Sequence, residues 1–106
     1  MVETSEILMS TSTLSVIVPT LNESNHIHQT LRRIREKGGD FLIEIWVVDA
    51  GSTDGTPDLA APFASVLHSY RGRALQMNVG AALASGDVLL FCHGDTLLPR
   101  DYASQI

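Results

Sequence analysis

Short apolar runs rich in β-branched residues alternate along the chain with longer segments of helical period. The run 15–18 is followed by Pro19, which cannot donate to a central ladder and therefore predicts the end of a first strand. Further apolar runs predict strands over 42–48 and 87–92, with a weaker one over 65–69. This alternation is typical of βα units built around a parallel sheet.

Helical period occurs in three places between these strands. The first helical segment carries an apolar stripe at Ile27, Leu31 and Ile34, which recur at i, i+4 and i+7. A short second helix is expected to follow Thr56 as its N-cap, with a proline at the first helical position. The last helix is predicted over 73–85, where three apolar residues are spaced by four: Leu75, Val79 and Leu83.

The length of 106 residues allows one domain, and 44% hydrophobic residues are enough for a core. The Ser/Thr-rich residues 1–13 have the composition of a flexible tail, so the folded unit is predicted over 14–106. No run approaches the roughly 20 apolar residues of a membrane-spanning helix, and the first residues do not read as a secretory signal. Together with a single cysteine, Cys92, these features favour the cytoplasm.

The formal net charge of -5, from 12 acidic and 7 basic residues, excludes a general electrostatic attraction to nucleic acid or anionic lipid. Any phosphate site must therefore be local. Arg71 and Arg73 stand at the start of the last predicted helix, where positive charge is poorly placed for the helix dipole. A bound phosphate would offset that cost, and a solvated pair of arginines is an equally good interpretation of the pattern.

The turn His93-Gly94-Asp95 directly follows the apolar run 87–92. The aspartate could simply cap the next turn, but a carboxylate in this position is also how a hard divalent cation is held against a diphosphate. Histidine is a softer ligand, which suits Mn²⁺ better than Mg²⁺. The other histidines lack such a setting and are expected at the surface or in packing: His26, His28 and His68.

Polar residues follow the end of each predicted strand. They are Thr20, Asn22 and Glu23, then Asp49, Ser52 and Asp54, then Arg71 and Arg73, and finally His93 and Asp95. The carboxyl ends of parallel strands share one edge of a sheet, and ligands bind in the crevice beyond it, so these groups can converge. Taken singly, Asn22 is more often an N-cap than a ligand contact, and the loop 49–55 is as readily structural as ligand-binding.

Three ordered segments resemble the motifs of family 2 glycosyltransferases of the GT-A fold: SVIVPTLNE over 15–23, VVDAGSTDGT over 47–56 and FCHGDT over 91–96. The resemblance covers about residues 14–100, and the segment 72–78 is similar to the subgroup whose metal motif begins with histidine. It implies a Rossmann-like three-layer α/β sandwich with a mostly parallel sheet. The chain would form the nucleotide-sugar-binding half of that domain, incomplete at its C-terminus.

The resemblance also implies a nucleoside pocket. Pro19, Thr20 and Glu23 would line it, and Asp49 would accept a hydrogen bond from the base, commonly uracil. Ala50 stands where many family members have a second aspartate, which leaves open how the ribose is held.

A diphosphate and metal site is implied next to that pocket. Arg73 is similar to a diphosphate or nucleotide contact, and Asp95 to the closing aspartate of the family's metal motif. His93 stands where that motif usually opens with aspartate, so one carboxylate would hold Mn²⁺ or Mg²⁺. Asn78 is similar to a family asparagine that helps hold the site together.

The activity implied by the resemblance is inverting transfer of a sugar from a nucleotide-diphosphate sugar, UDP-linked, to an acceptor that the sequence does not name. The cation and Arg73 would stabilise the departing diphosphate while a base deprotonates the acceptor. In the family that base is an acidic residue well beyond the metal motif, and Asp101 lies too near to match it. We therefore expect the base beyond Ile106 and little activity from these residues alone.

Other functions remain open or are disfavoured. A non-catalytic nucleotide or nucleotide-sugar binding module would use the same crevice. A nucleotidyltransferase would have a glycine-rich basic loop after the first strand, and a dinucleotide-binding domain would have G-x-G-x-x-G there; both are absent. A half-sheet would expose apolar surface, which predicts self-association. Docking on a membrane surface is left open.

Overall fold

The computed structural model describes residues 12–106, in which strands and helices alternate. The elements are β1 (Thr13–Thr20), α1 (Ile27–Glu36), β2 (Leu42–Asp49), α2 (Thr56–Ala60), β3 (Ser65–His68), α3 (Arg73–Leu83), β4 (Val88–Phe91) and a 3₁₀ helix (Tyr102–Gln105). All four strands are parallel, in the order β3-β2-β1-β4, which confirms the predicted α/β class. Most of the predicted tail lies outside the described residues. No helix within 12–106 combines the length and the apolar character needed to cross a bilayer.

One side of the sheet, which we call the α1 face, carries the main hydrophobic core. Strands β1 and β2 contribute Leu14, Val16, Val18, Ile45 and Val47, each at most 1% exposed. Helix α1 covers them with its predicted apolar stripe, whose members are all fully buried: Ile27, Leu31 and Ile34. The helical period of this segment therefore identified both the helix and its buried side.

The opposite side, the α3 face, is covered by α3 where it crosses β1 and β2. The buried residues of this helix are Gln76 and Gly80, whereas Leu75 and Leu83 are 43% and 52% exposed. A Cβ on Gly80 would lie 2.5 Å from Ile17 Cγ2, so only glycine allows the helix to approach β1 this closely. The predicted helix is confirmed, but its leucine stripe is not the side that the sheet buries.

The α3 face stays open over the edge strand β4. Leu89 and Phe91 are 44% and 47% exposed, while the alternating Val88 and Leu90 pack against the core of the α1 face. Leu89 and Phe91 are exposed apolar side chains of the kind expected from the sequence. Self-association through them stays a prediction.

Strand β1 continues through Pro19 to Thr20, so the prediction that the proline ends the strand is wrong. The carbonyl of Ile17 accepts a hydrogen bond from the Cys92 N–H on the β4 side. The backbone N–H and C=O groups of residues two apart in a strand point to the same neighbouring strand. The N–H that Pro19 lacks would therefore also have pointed to the β4 side. Since the pairing of β1 with β4 ends at Ile17, no ladder partner there requires the missing N–H.

Candidate functional site

A cleft of about 250 Å³ opens at the carboxyl edge of the sheet. Its walls come from the end of β1 and the loop that follows it, the start of α3 and the turn after β4. Strands β1 and β4 are neighbours at the point where the strand order reverses, which is where open α/β sheets bind ligands. The cleft brings together every predicted site residue except Asp49: Pro19, Thr20, Glu23, Arg73, His93 and Asp95.

Asp49 lies beside the cleft at the end of β2 and is 1% exposed. Its Oδ1 accepts hydrogen bonds from the hydroxyls of Thr20, at 2.7 Å, and Ser52. Its Oδ2 accepts the backbone N–H groups of Gly51 and Ser52 at 3.1 and 2.8 Å. These four bonds use about all the acceptor sites of a carboxylate. Asp49 therefore fixes the loop after β2 to β1, and its contact with a base stays a prediction.

The loops after β1 and β2 are tied to each other by reciprocal hydrogen bonds. The Asn22 N–H donates to Ser52 Oγ at 2.8 Å, and the Thr53 N–H donates to Asn22 Oδ1 at 2.8 Å. The Glu23 N–H donates to Thr56 Oγ1 at 2.9 Å. Asn22, with a φ of 54°, therefore anchors the neighbouring loop. The interpretation of Asn22 as an N-cap of α1 is wrong, because that helix begins only at Ile27, after His26.

The start of α2 differs by one residue from the prediction. Gly55, with a φ of 88°, is the N-cap, and Thr56 is the first helical residue. The Thr56 hydroxyl donates to Asp54 Oδ1, while Asp54 Oδ2 accepts the Ser24 N–H at 3.0 Å. The Thr56 hydroxyl, followed by bonds from Ser24, lowers the pKa of Asp54 to about 2. Thr56 thus connects both loops instead of capping the helix with its side chain.

Gln76 joins α3 to the sheet and is a site residue that the sequence analysis missed. Its side chain is 5% exposed, and Nε2 donates to the carbonyls of Thr20 and Val48 at 3.0 and 2.9 Å. Its Oε1 accepts the Gly72 N–H at 3.4 Å, at the start of α3. The resemblance gave a holding role to Asn78, which is exposed. The sequence held one indication of the role of Gln76: it lies four residues before Gly80, on the same face of the helix.

Arg71 and Arg73 line the cleft beside the first turn of α3, and both are exposed. Gly72 between them has a φ of 144°, and the first turn contains no acidic residue. Within residues 12–106 the salt bridge found is Arg32–Glu36, so neither arginine of the cleft has an acidic partner there. The Gly72 N–H bonds Gln76, but the helix start has no side-chain cap. Both guanidinium groups and the remaining N–H groups of the first turn are therefore available for an anion.

Glu23 and Asp95 place negative charge on the same cleft. Burial raises the pKa of Glu23, and the nearby Asp95 carboxylate raises it further, while His26 and His93 act in the opposite direction. Negative charge concentrated on one wall of a cleft favours a bound cation. The cleft therefore offers complementary charge to a phosphate and to a cation side by side.

His93 and Asp95 are the side chains with which this cleft could hold a metal ion, and both are exposed. No group of three or more His, Cys, Asp or Glu side chains in the described part of the chain is arranged to hold a metal. One carboxylate and one imidazole leave several coordination positions for phosphate oxygens, and the imidazole favours Mn²⁺ over Mg²⁺. The residues thus fit a cation that a diphosphate helps to bind.

The remaining histidines do not line the cleft, although His26 lies next to Glu23. The ring of His28 packs edge-on against Phe63, with centroids 4.7 Å apart. His26 and His68 are exposed and do not line the cleft.

Comparison with known proteins identifies the family. Residues 15–106 match the family described as glycosyl transferase family 2. The chain is 37% identical over 99 residues to a PGL/p-HBAD biosynthesis glycosyltransferase of Mycobacterium tuberculosis, covering 85% of this chain and 38% of that protein. It is 29% identical over 105 residues to the putative glycosyltransferase EpsH of Bacillus subtilis, covering 92% of this chain and 30% of that protein. The chain thus spans about a third of the length of these relatives.

Solved structures show the same fold. The mannosyltransferase PcManGT of Pyrobaculum calidifontis, in complex with GDP-Man and Mn²⁺, superimposes with a TM-score of 0.73 at 30% identity, covering 86% of this chain and 30% of that chain. Glucosyl-3-phosphoglycerate synthase of Mycobacterium tuberculosis, in complex with Mn²⁺, UDP and glucosyl-3-phosphoglycerate, gives a TM-score of 0.63 at 27% identity, covering 89% and 37%. These structures confirm the Rossmann-like GT-A fold, while the subgroup with a histidine in the metal motif stays a prediction. The chain belongs to glycosyl transferase family 2.

Proposed function

We propose that these residues form the donor-binding part of an enzyme that transfers a sugar from a nucleotide-diphosphate sugar to an acceptor, with inversion. The observation that carries the proposal is the cleft itself, at the switch point of the sheet. It combines a helix start, a carboxylate-imidazole pair and two arginines that have no acidic partner within residues 12–106. Support also comes from the related structures solved with GDP-Man or UDP and with Mn²⁺.

The diphosphate is assigned to the wall formed by the start of α3. Arg73 and Arg71 supply guanidinium groups there, and the first N–H groups of the helix add positive potential. When the sugar leaves, negative charge grows on the diphosphate, so fixed donors in this position stabilise the transition state more than the ground state. Gln76 keeps that wall in place through its bonds to the ends of β1 and β2.

A divalent cation would be held by Asp95 and His93, with Mn²⁺ the better match to this donor pair. Bound there, it would supply Lewis-acid stabilisation of the leaving diphosphate. Asp95 and His93 by themselves offer few ligands to a cation. We therefore expect the cation and the nucleotide to bind cooperatively, because each provides ligands or charge for the other. Glu23, across the cleft, adds negative charge that favours the cation.

The nucleoside is assigned to Pro19, Thr20 and Glu23, next to the end of β2. We propose that Asp49 contacts the base, with uracil preferred. Its four acceptor sites are already used, so a base N–H must displace one donor. The hydroxyls of Thr20 and Ser52 are the two donors that can turn away without moving the backbone. Base recognition by Asp49 therefore involves a change at one of these two hydroxyls.

Calorimetric titration with UDP, GDP and ADP, each with and without Mn²⁺, tests these assignments. We expect UDP to bind more tightly with Mn²⁺, Asp95→Ala to abolish that gain, and Arg73→Ala to weaken UDP binding at least about tenfold, as loss of a charge-assisted contact does. Arg32→Ala is the matched control, because this arginine lies in a surface ion pair on α1.

Two results would contradict the assignments. Failure of all three diphosphates to bind in the presence of Mn²⁺ would overturn the donor site. Equal affinity for the three would leave the site intact but remove Asp49 from base recognition.

A further inference from the structure

The middle residue of the turn after β4 is packed against the loop after β1. Gly94 is buried, although both its neighbours, His93 and Asp95, are exposed. A Cβ on Gly94 would lie 2.9 Å from Glu23 Cγ and 3.0 Å from Thr20 Cγ2. The turn therefore has no room for a side chain at this position, and its backbone rests directly on the opposite wall of the cleft.

A buried threonine of α1 holds the same residue from the other side. Thr30 is 2% exposed, and its hydroxyl donates to the Gly94 carbonyl at 3.0 Å, across 64 positions of sequence. A threonine in a helix usually bonds back to a carbonyl of its own preceding turn and is a weak helix former. Here the hydroxyl is directed at another segment, so its presence in α1 is explained by the turn that it holds.

A third contact closes the turn. The Thr96 N–H donates to the His93 carbonyl at 3.0 Å. The backbone on both sides of Gly94 is thus fixed by one internal bond, one bond from α1 and one close packing contact. The two side chains that line the cleft, His93 and Asp95, are carried by this fixed backbone.

We propose that Thr30 and Gly94 are positioning residues that set His93 and Asp95 for a cation shared with the diphosphate. This inference rests on the proposed function. With two donors from the described part of the chain, the site depends on where the turn places them, since a displacement of about 1 Å is enough to lose a metal-ligand geometry. Thr30 contacts neither the cation nor the donor and acts only through the Gly94 carbonyl.

The test compares Thr30→Val, which keeps the shape but removes the hydroxyl, with Thr30→Ser, which keeps the hydroxyl. The quantity measured by calorimetry is the Mn²⁺ gain, defined as the ratio of the UDP dissociation constants without and with Mn²⁺. We expect Thr30→Val to reduce the gain about fivefold, the effect of one lost hydrogen bond, and to change the Mn²⁺-free constant by less than about twofold. Thr30→Ser should retain the wild-type gain.

Gly94→Ala is a second, independent variant, because its methyl group would collide with Glu23 and displace the turn. It should also reduce the Mn²⁺ gain. Ser15→Ala is the matched control: this buried hydroxyl bonds Glu44 at 2.6 Å near the start of β1, roughly 16 Å from Thr20 along the strand. It should lower the melting temperature and leave the Mn²⁺ gain unchanged.

The outcomes separate this inference from the proposed function. If the wild type shows the Mn²⁺ gain and both Thr30→Val and Gly94→Ala keep it, the positioning role is wrong and the proposed function stands. The same conclusion follows if Ser15→Ala loses as much of the Mn²⁺ gain as these two variants do. A wild-type chain that binds UDP with no Mn²⁺ gain contradicts the proposed metal site and the positioning role with it.

Discussion

The two edges of the sheet are both polar, but they use their polar groups differently. At the amino edge, Glu44 accepts hydrogen bonds from the Ser15 hydroxyl at 2.6 Å and from the Ser85 N–H and hydroxyl, both at 2.9 Å. The Ser15 hydroxyl in turn accepts the Gly86 N–H at 2.8 Å. These groups satisfy one another and link β1, β2 and the end of the α3 segment.

The carboxyl edge has a similar layer of internal bonds, around Asp49, but a second set of charges lies beyond it. Arg71, Arg73, His93 and Asp95 line the cleft without an ion pair among the described residues. These exposed charges of both signs converge at the switch point of the sheet, which is where open α/β sheets bind ligands. The comparison separates a polar network that holds the sheet together from a set of charges that we propose binds the donor.

Gly80→Ala should have the largest effect, because α3 connects the two edges. The helix runs from Arg73 at the cleft to Leu83 near the amino edge, and a methyl group at position 80 would collide with Ile17. We expect the free energy of unfolding to fall by about 3 kcal/mol, as for other overpacked cores, and UDP binding to weaken as well. Chemical denaturation and calorimetry measure both.

Ala82→Ser, on the exposed side of the same helix, is the control and should change neither quantity. A Gly80→Ala protein with wild-type stability would contradict the close approach of α3 to β1. One that is destabilised but binds UDP normally would show that the two edges are not coupled through the helix.

The elements themselves were predictable because local pattern decides them. Continuous apolar runs identify β2 and β4, and the stripe of Ile27, Leu31 and Ile34 identifies α1 together with its buried side. The cleft was predictable for a topological reason, since parallel strands end at one edge. These inferences need no knowledge of which residues touch.

What escaped prediction depends on contacts between distant segments. Leu75 and Leu83 are exposed because the Gln76 amide satisfies carbonyls of β1 and β2, and because Gly80 fits against Ile17. Asn22 anchors a loop 31 residues away instead of capping a helix. Propensity and period rank such residues by their usual roles, so a partner supplied by tertiary structure is invisible to them.

Removing one carboxylate from each edge should give opposite results. Glu44→Ala leaves the Ser15 and Ser85 donors without their acceptor, so we expect a loss of about 2 kcal/mol in unfolding free energy and unchanged UDP binding. Asp95→Ala should stay within about 0.5 kcal/mol of the wild type in stability and lose the Mn²⁺ gain. Paired denaturation and calorimetry check this. If Glu44→Ala impaired binding as strongly as Asp95→Ala, the division of roles between the edges would be wrong.

The smallest expected effect is a difference in pH dependence between the edges. The Ser15 hydroxyl, followed by the Ser85 N–H, lowers the pKa of Glu44 from 4.5 to about 2, whereas burial and Asp95 raise the pKa of Glu23. A lowered pKa in the folded state means that Glu44 stabilises the fold above pH 4.5 and loses that contribution as the pH falls towards 2. For Glu23 the sign is reversed, so its ionisation destabilises the fold as the pH rises above 4.5.

Two glutamine variants isolate these contributions when unfolding free energies are measured between pH 2.5 and 7. The stability advantage of the wild type over Glu44→Gln should shrink by about 1 kcal/mol towards the acid end, a modest value because solvent screens this partly exposed carboxylate. Glu23→Gln should instead gain stability relative to the wild type as the pH rises, by a few tenths of a kcal/mol. If both differences changed in the same direction, the two carboxylates would share one environment, and the distinction between a self-satisfied edge and a binding edge would not hold.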